Sequence, residues 1–502
     1  MKPRSLLPGL AASLVALGIL WAASRVAPQL AFPPSSLADA IVRVTPGDVA
    51  TTAIDRLQRN ALRLLTWGAG VAFLGVGTLV PCLSRVKGRL RPYFVGLVFA
   101  SFVGAVAALD PVPRPTLANG AGAAAAGVSY GLVLWRFEEW MGRESPAGRW
   151  GDGDLSRRRL LELGCTVAGS FLIGSALGRV VEWALGGKNV SVGRGRAVGL
   201  AGRRAPFPAI PGLSSEVTSV ADHYVVDIDI SDPVIDGGAW KLSVGGLVGG
   251  PLKLSFEELQ RRFELVDEYS VLTCISNKVG VPLVGNSRWS GVRLRDVLVA
   301  AGVRQGAVDV AFHCADGYSV AIPVELARDP SVLVAIAQNG EALTRAHGFP
   351  CRIRVPALYG MMNAKWVDSI EVVDHRFEGY WQKQGWSDSG TVRTESRIDT
   401  PSKASVGEPV WIAGVAWAGD RGISAVELSL DRGRTWERTK LHPPISRLAW
   451  TQWAQRWTPT RPGRQRVTCR AIDGAGRTQD KTKRPPHPSG ASGYHEVEIE
   501  VA

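Results

Sequence analysis

The chain has 502 residues, 46% of them hydrophobic and 21% charged, with a formal net charge of +13. Its arginines cluster beside apolar runs and no recognition motif accompanies them, which argues against nucleic acid as a partner and for membrane topology as the cause. The six cysteines show no CxxC or CxxCH spacing, which excludes zinc ribbons, thioredoxin-like sites and c-type haem; the length implies about three domains.

A membrane-spanning helix needs about twenty mostly apolar residues. Runs of that kind lie at about Leu6–Ala23, Leu62–Leu83, Pro92–Leu109, Leu117–Trp135 and Leu160–Leu185. Residues 1–187 are therefore expected to form a helical transmembrane bundle of about five spans. A signal-peptide reading of the first run lacks a clear small-residue cleavage site. Basic residues set the orientation. Lys2 and Arg4, then Arg85, Lys87, Arg89 and Arg91, then Arg136, Arg143, Arg149 and Arg157–Arg159 face a single Arg114 in the loop Asp110–Thr116. The positive-inside rule puts the N-terminus in the cytoplasm and the end of the fifth span on the outer face of the plasma membrane. Ala38–Asn60, mixed in charge, fits an outer loop. Gly68, Gly70, Gly75 and Gly77 suit close helix packing. No histidine precedes His223, so these helices are expected to hold no haem. Ser156–Leu161 reads SRRRLL, a twin-arginine export pattern before an apolar helix and equally a positive-inside anchor.

Residues 188–222 are rich in Gly, Arg and Pro, lack periodicity and read as a linker; their charges also suit anionic lipid head groups. From 223 to 394 helices and strands mix without a βαβ rhythm, which predicts an α+β domain. Tyr224–Ile230 and Trp240–Leu247 read as strands. Leu254–Phe263 reads as a helix capped by Ser255, with Glu258 three positions on. Val292–Ala301 reads as a short helix. Val308–Cys314 and Tyr318–Ile322 flank an Asp316–Gly317 turn, and Arg352–Val355 is a further strand. No GxGxxG opens a helix, so a nucleotide site is unsupported. Within this domain stands Thr273–Trp289, TCISNKVGVPLVGNSRW. A thiol at a strand end, followed by a Gly/Asn-rich loop with cationic groups, suits a soft metal and an anionic cofactor. By itself a lone cysteine more often packs as a small hydrophobe. Cys314, Cys351 and Cys469 read as packing residues, and a Cys314–Cys351 bridge stays open because only distances decide it.

From 395 to 502 the pattern is all-β. Tyr380–Gly390, with Trp381 and Trp386, bridges to it through Ser396–Pro401. Val410–Trp417 and Ile423–Leu430 alternate, Asp431–Gly433 turns, and Arg466–Ile472 and His495–Val501 follow. About seven short strands with regular turn signals predict an immunoglobulin-like sandwich. Trp450, Trp453 and Trp457 read as core or interface anchors, and Arg477–Gly493, polar and Pro-rich, as an exposed loop.

Taken in order, TCISN, VGNSRWSGVRLRDVL, DGYSVAIP and HGFPCRIRVPALYGMMNAKWV resemble the molybdenum-cofactor domain of the sulfite oxidase family, and more closely its membrane-anchored bacterial members. The resemblance covers roughly Tyr224 to the C-terminus. It implies a molybdenum–molybdopterin cofactor, with Cys274 supplying the protein sulfur to the metal and Asn277 in the cofactor loop. It implies that Asn286 and Trp289 line the pocket from a loop, and that Tyr318 is the active-site tyrosine. Arg352, Tyr359, Gly360, Lys365 and Trp366 would wrap the pterin and its phosphate; a phosphate needs cations or backbone donors, and Gly360 permits close approach. Read locally, Tyr318 is a packing aromatic and Lys365 a solvated charge. His223–Asp227 matches loosely, and His347 reads equally as a phosphate contact or a structural histidine. One position departs. Sulfite-oxidising members carry two adjacent arginines after the matching Asn, where this chain has Lys278 and Val279. Lysine does not reproduce the arginine fork, so a neutral S-oxide or N-oxide, or a smaller oxyanion, stands level with sulfite as a substrate.

In this family the cofactor is inserted in the cytoplasm, which favours the twin-arginine export machinery as a partner. The C-terminal region resembles the family's dimerisation domain, which implies a homodimer. The expected function is oxygen-atom transfer on a small sulfur or nitrogen compound, with electrons leaving singly through a separate cytochrome or quinone-linked carrier. A non-enzymatic membrane receptor carrying a sandwich explains the two ends of the chain but not the ordered motifs. A transport subunit fits poorly, because the spans lack central ionisable groups.

Overall fold

The computed structural model describes residues 6–45, 59–83, 90–110, 115–142, 157–185, 190–198, 207–229 and 232–502. It divides into a helical unit, residues 1–188 with 228–236, and a second unit, residues 189–227 with 237–502.

The helical unit carries α1 (Leu7–Val26), α2 (Pro33–Val44), α3 (Arg59–Leu83), α4 (Arg91–Ala107), α5 (Thr116–Gly142) and α6 (Arg157–Leu185). Pro at the first turn starts α1, α2 and α4, where its missing N–H costs nothing. Among the described residues three helices are long and apolar enough to cross a membrane, at Pro8–Val26, Leu64–Cys82 and Thr116–Phe137, while Arg91–Ala107 and Ala168–Val181 are apolar but shorter. Trp67, Val71, Leu97, Leu172 and Trp183 are exposed, whereas Phe73, Phe99 and Tyr130 are buried. The Phe99 and Tyr130 rings stack at 4.1 Å, and the Tyr130 hydroxyl donates to Gly77 O. Of the four glycines expected at helix crossings, only Gly77 is one. A Cβ on Gly68, Gly70 or Gly75 would meet nothing within 4 Å, but on Gly96 it would lie 2.6 Å from Gly127 O and on Gly174 2.3 Å from Ile19 O. A second difference is α2. The segment expected as an outer loop begins inside this helix, with Asp39 fully buried and Arg43 paired with Asp229 at 2.7 Å. Most of the basic loop segments, 84–89 and 143–156, and residues 46–58 lie outside the described residues.

The second unit holds the cofactor-type domain and the sandwich. The first has β1 (Arg196–Ala197), β2 (Lys241–Gly246), β3 (Leu252–Ser255), β4 (Leu265–Thr273), β5 (Val284–Arg293), β6 (Asp309–Cys314), β7 (Ser319–Pro323), β8 (Leu333–Gln338), β9 (Glu341–Ala342), β10 (Arg352–Arg354) and β11 (Val367–Val373). They form a six-stranded sheet in the order β1-β4-β5-β8-β10 with β9 on β8, and a five-stranded sheet in the order β3-β2-β11-β6-β7. Helix α7 (Phe256–Arg262) starts at the expected capping box: Ser255 Oγ accepts from Glu258 N at 3.2 Å, and Glu258 Oε2 accepts from Ser255 N at 2.8 Å. Helix α8 is Leu294–Ala301, ended by Gly302 at φ +68°. Gly317 at φ +78° makes the turn between β6 and β7, with Tyr318 N donating to Asp316 Oδ1 at 3.0 Å.

Two expectations fail here. Tyr224–Ile230 is no strand across its described part, because His223, Tyr224 and Asp227 turn toward buried partners instead of a sheet neighbour. The expected linker is also structured in part: β1 pairs in parallel with β4, and Gln452 Nε2 and Trp450 Nε1 donate to the carbonyls of Ser214 and Glu216 at 2.7 and 3.0 Å. Its backbone carbonyls find partners on both domains, which a free linker would leave to water.

The sandwich consists of a four-stranded sheet, with β12 (Glu395–Thr400), β14 (Val410–Trp417), β17 (Lys440–Leu441) and β18 (Thr451–Trp457), and a five-stranded sheet, with β13 (Lys403–Ala404), β15 (Ile423–Ser429), β16 (Glu437–Arg438), β19 (Gly463–Asp473) and β20 (His495–Val501). Ile412, Val426, Trp453, Val467, Cys469 and Ile499 fill the space between them. The segment 477–493 is not simply an exposed loop. Arg393 Nε donates to Ser489 O at 3.0 Å, Ser387 N to Pro488 O at 3.0 Å, and a Cβ on Gly490 would sit 2.3 Å from the Tyr359 hydroxyl.

Glu395 opens β12 at this junction and is buried. Burial pushes its carboxyl up to about 8, against a partial pull down from Arg393 and Arg397. The folded state then holds a proton that the unfolded chain releases near 4.5, so stability is lost as pH rises from that value toward 8. Glu395→Gln removes the cost. Its thermal midpoint, followed by tryptophan fluorescence, should gain on the parent steadily between those pH values; a gain independent of pH would mean that Glu395 is ionised in the fold.

Candidate molybdenum-cofactor site

Cys274 lies directly after β4, at the start of the loop that returns the chain to β5. Four hydrogen bonds close that loop. Cys274 N donates to Leu283 O at 3.0 Å, Leu283 N to Asn277 Oδ1 at 3.1 Å, Asn277 N to Cys274 O at 3.1 Å and Val281 N to Lys278 O at 3.0 Å. Asn277 thus shapes the loop with its Oδ1 and leaves its buried Nδ2 without a partner. The sulfur is 7% exposed and 3.0 Å from Ser276 Oγ. Burial pushes the thiol above its usual range, and the Ser276 hydrogen bond opposes this. Gly360 comes up against the same point. A Cβ there would lie 2.7 Å from the Tyr224 hydroxyl and 3.7 Å from Cys274 Cα, so only glycine fits comfortably.

Beside the cysteine loop, Trp289 on β5 is fully buried. Its ring lies 4.9 Å from the Arg352 guanidinium carbon and 5.1 Å from that of Arg354. The two arginines are on β10, where the two-residue period of a strand turns them to the same face. Their hydrogen-bond partners are all neutral. Arg352 donates to His347 O at 3.1 Å and Asn363 O at 3.3 Å; Arg354 donates to Ser270 Oγ at 2.8 Å, Val271 O at 3.1 Å and Asn363 Oδ1. Burial lowers Arg352 to about 10 and Arg354 to about 9. Cation–π contact with Trp289 offsets part of that desolvation, worth about 2 kcal/mol or more per desolvated pair, and an anion would offset the rest.

His223 lies edge-on to Trp289 at 5.7 Å and to His347 at 5.5 Å. Burial lowers it to about 3, and lowers His347 to about 4, so both rings are neutral at pH 7. His347 Nε2 is 3.0 Å from Val220 O, while His223 Nε2 is buried and unpaired. Buried polar atoms in native proteins are nearly always satisfied. Those left over here are Asn277 Nδ2, His223 Nε2, the Tyr224 hydroxyl, Asn286 Oδ1 and Arg352 Nε. This set of donors and acceptors, beside two guanidiniums with only neutral hydrogen-bond partners and a thiol, fits a polar, anionic cofactor that also offers a thiophilic metal. Among the described residues no group of three or more His, Cys, Asp or Glu could hold a metal ion, so a metal at Cys274 would draw its other ligands from the cofactor.

The structure does not gather every predicted residue. Asn286 and Trp289 stand on β5, a strand rather than a loop; Asn286 is buried, with Nδ2 donating to Glu216 O at 2.7 Å and its N–H to Thr218 Oγ1 at 3.0 Å. Tyr318 is buried, its hydroxyl donating to Met361 O at 2.6 Å, one residue past Gly360. Lys278 is exposed. Lys365 pairs with Asp227 and donates to Ala346 O at 2.8 Å, lying 4.2 Å above Trp366. Trp366 takes φ +53° and donates to Arg345 O at 2.8 Å. Tyr359 faces the sandwich, its hydroxyl accepting from Arg393 N at 3.2 Å, so it is not brought to Cys274. Cys314 and Cys351 are buried, unbridged thiols. Tyr224 lies in the loosely matching His223–Asp227 stretch; Arg354 and Asn363 were missed. The R-x-R spacing of β10 signals the first; nothing local signals the second.

Residues 229–381 match the family profile described as the oxidoreductase molybdopterin binding domain, and residues 390–500 the one described as the Mo-co oxidoreductase dimerisation domain. These are molybdopterin oxidoreductase domains of the sulfite oxidase family. Enzymes of that family use the molybdenum cofactor, and the receptor reading falls with this match. The chain is 30% identical over 303 residues to the sulfite oxidase of Gallus gallus, covering 50% of this chain and 66% of that protein. It is also 30% identical over 297 residues to the NAD(P)H nitrate reductase of Hordeum vulgare, covering 47% of this chain and 33% of that protein. The chain thus spans less than two thirds of the length of these curated relatives. The sulfane dehydrogenase SoxCD of Paracoccus pantotrophus shares the fold, with a TM-score of 0.50 and 23% identity over 57% of this chain and 82% of that one.

Asn363 tests how the molybdopterin domain builds its site. This buried amide accepts from Val355 N at 2.7 Å and from Arg354, and donates to Leu358 O at 3.1 Å and Tyr359 O at 2.8 Å. Asn363→Ala strands several buried groups at once and should cost roughly 3 kcal/mol or more. The urea midpoint should fall accordingly, and the purified variant should carry less molybdopterin than the parent.

Proposed function

We propose that the chain is a molybdenum oxidoreductase, anchored in the plasma membrane by its N-terminal helices with its catalytic domains on the outer face. It moves an oxygen atom to or from a small sulfur or nitrogen compound, by sulfite oxidation or by reduction of an S-oxide or N-oxide. The observation that carries this reading is the buried Cys274 beside unpaired polar atoms and the neutrally solvated Arg352 and Arg354. When bound, the cofactor supplies two-electron redox chemistry coupled to oxygen-atom transfer.

The chain's own residues bind, orient and dry the site. Cys274 would hold the metal as a thiolate, since a metal cation opposes the effect of burial on the sulfur. Arg352 and Arg354 hold the anionic part of the cofactor, with Trp289 fixing the distance between them. Asn277 keeps the loop in register with β5. Tyr318 stays protonated, because burial pushes its phenol well above the usual range, and so remains a hydrogen-bond donor beside the site. For the substrate, the loop offers the exposed Lys278 and then the half-buried Val279. A dianion gains most from several charge-assisted hydrogen bonds, and one exposed lysine supplies few. The relatives include both a sulfite oxidase and a nitrate reductase, so substrates of both classes belong in the test.

Membrane anchoring is supported by apolar helices with large exposed side chains, and outward orientation by the charge asymmetry of the loops. The SRRRLL pattern at the start of α6 supports export of the folded, loaded domain by the twin-arginine machinery. A separate one-electron carrier, a cytochrome or a quinone-linked protein, takes the electrons of an oxidation or supplies those of a reduction, and the dimerisation domain supports a homodimer.

Cys274→Ser decides the central claim. The parent should carry molybdenum and turn over at least one member of a panel of sulfite, S-oxides and N-oxides under ferricyanide or a reduced viologen. The variant should fold but lose both turnover and the metal's optical signature; an unchanged signature would refute the assignment. Topology has its own test. Arg157→Lys with Arg158→Lys should leave residues 190–502 inside the cell, protected from protease added to intact spheroplasts.

A further inference from the structure

The ring of Tyr318 begins a continuous series of aromatic contacts. Its centroid is 5.9 Å from that of Tyr380. Tyr380 is 5.1 Å from Trp381 with the planes at 87°, Trp381 is 6.2 Å from Trp386 at 74°, and Trp386 is 5.0 Å from His487 at 80°. Each spacing is ordinary for edge-to-face packing. Their continuity is not a local effect: the rings come from the β6–β7 hairpin, from the short helix Tyr380–Lys383 with its following turn, and from the sandwich loop 477–493. The inner end lies at the site, where the Tyr318 hydroxyl donates to the carbonyl of the residue after Gly360 and the charge of Cys274 is among those felt by the phenol. The outer end reaches the surface at half-buried His487, between exposed Pro485 and Pro488.

One member carries a cost that packing does not explain. Trp386 is buried and its indole N–H has no partner. A phenylalanine would fill a similar apolar space without that orphaned donor. The position is nevertheless held firmly, by Trp386 N donating to Trp381 O at 3.0 Å and Ser387 N to Pro488 O at 3.0 Å. Meanwhile the sequence has no haem, iron–sulfur or flavin pattern, so electrons released at Cys274 have to cross the protein to its surface.

We propose that Tyr318, Tyr380, Trp381, Trp386 and His487 form the electron exit of the Cys274 site, delivering to a one-electron acceptor at the surface beside His487. The inference rests on the oxidative form of the redox function proposed above; in a reductase the same rings would carry the electrons inward. Electron tunnelling weakens steeply with the gap between donor and acceptor orbitals, and packed rings shorten the gaps. Each passage oxidises the metal site by one electron and reduces the acceptor by one, so a two-electron turnover takes two passages. The rings bridge and are not themselves oxidised, and no bond forms or breaks.

The test tethers a ruthenium polypyridyl photo-oxidant at His487→Cys, in a parent whose less buried thiols, Cys82 and Cys165, are serine. With excess dithionite removed and a sacrificial oxidant present to take an electron from the excited label, a flash should oxidise the label, which then recovers by drawing an electron from the reduced metal site. Trp386→Leu should slow that recovery by roughly tenfold, equivalent to about 1.4 kcal/mol of barrier, at unchanged molybdenum content. Trp386→Phe, which keeps a ring, should stay near the parent rate and controls for folding. Equal recovery rates in the parent and both variants, or no recovery from a molybdenum-loaded parent, would overturn the exit. Failure of the underlying redox reading shows separately, as a parent that binds no molybdenum.

Discussion

Two guanidiniums buried against one indole, hydrogen-bonded only to neutral groups, are the constraint on which the molybdopterin domain depends. An isolated buried charge is among the least favourable things a fold can contain. Arg352 and Arg354 tolerate it because Trp289 offers them its π-faces and because carbonyls, a serine hydroxyl and the Asn363 amide surround their N–H groups. Much of the surrounding geometry follows from keeping those groups in place. Strand β8 lies between β5 and β10, so its register, with Ala335 opposite both Gly291 and Arg352, fixes the arginines relative to the tryptophan. Gly291 is where this becomes tight: a Cβ there would lie 2.2 Å from Val334 O.

The sandwich contributes to the site as well as following it in the chain. Val271, three residues before Cys274, donates its N–H to Leu448 O at 2.9 Å, across the two domains. The left-handed Gly280 in the cysteine loop lies against the His495 ring, where a Cβ would come within 2.2 Å of Nε2. His495 Nδ1 in turn accepts from Ile398 N at 2.9 Å, which aims the ring. Tyr359, expected at the cofactor, packs under Gly490. The loop that presents the thiol is thus held from β5 on one side and from β20 on the other, and rigid backing of this kind is what a metal-binding loop needs to keep its sulfur aimed.

What the sequence made legible was local. The Ser255–Glu258 capping box, the Asp316–Gly317 turn and the alternating runs at Val410–Trp417 and His495–Val501 each depend on a few neighbouring residues, and the fold has them at those positions. The family was legible through ordered motifs. Pairings over long separations were not. Asn286 is on a strand, and its partners Glu216 and Thr218 come from a segment that composition alone marks as linker. Tyr224–Ile230 alternates as a strand does, yet among the described residues no neighbouring strand pairs with it, and side chains take over the role of the ladder. Among the helices, glycine content at Gly68, Gly70 and Gly75 did not reveal which helix face meets a neighbour.

The same distinction separates the cations of the site. Lys365 belongs to a motif that implies a phosphate contact, but it is paired with Asp227, and the pair carries no net charge to offer. Arg352 and Arg354 have only neutral partners and keep theirs. Charge of one sign left unbalanced in a dry interior is stable only if something of the opposite sign arrives, and the stability it gives on arrival is the affinity. Of these cations the arginines of β10 are the ones with charge to offer an anion, while the lysine is held by Asp227. A cofactor bound here would be read by geometry from two stacked planes rather than by attraction to a loose surface charge, which explains how a chain with 58 lysines and arginines can keep one anion-binding site distinct from all its other positive charge.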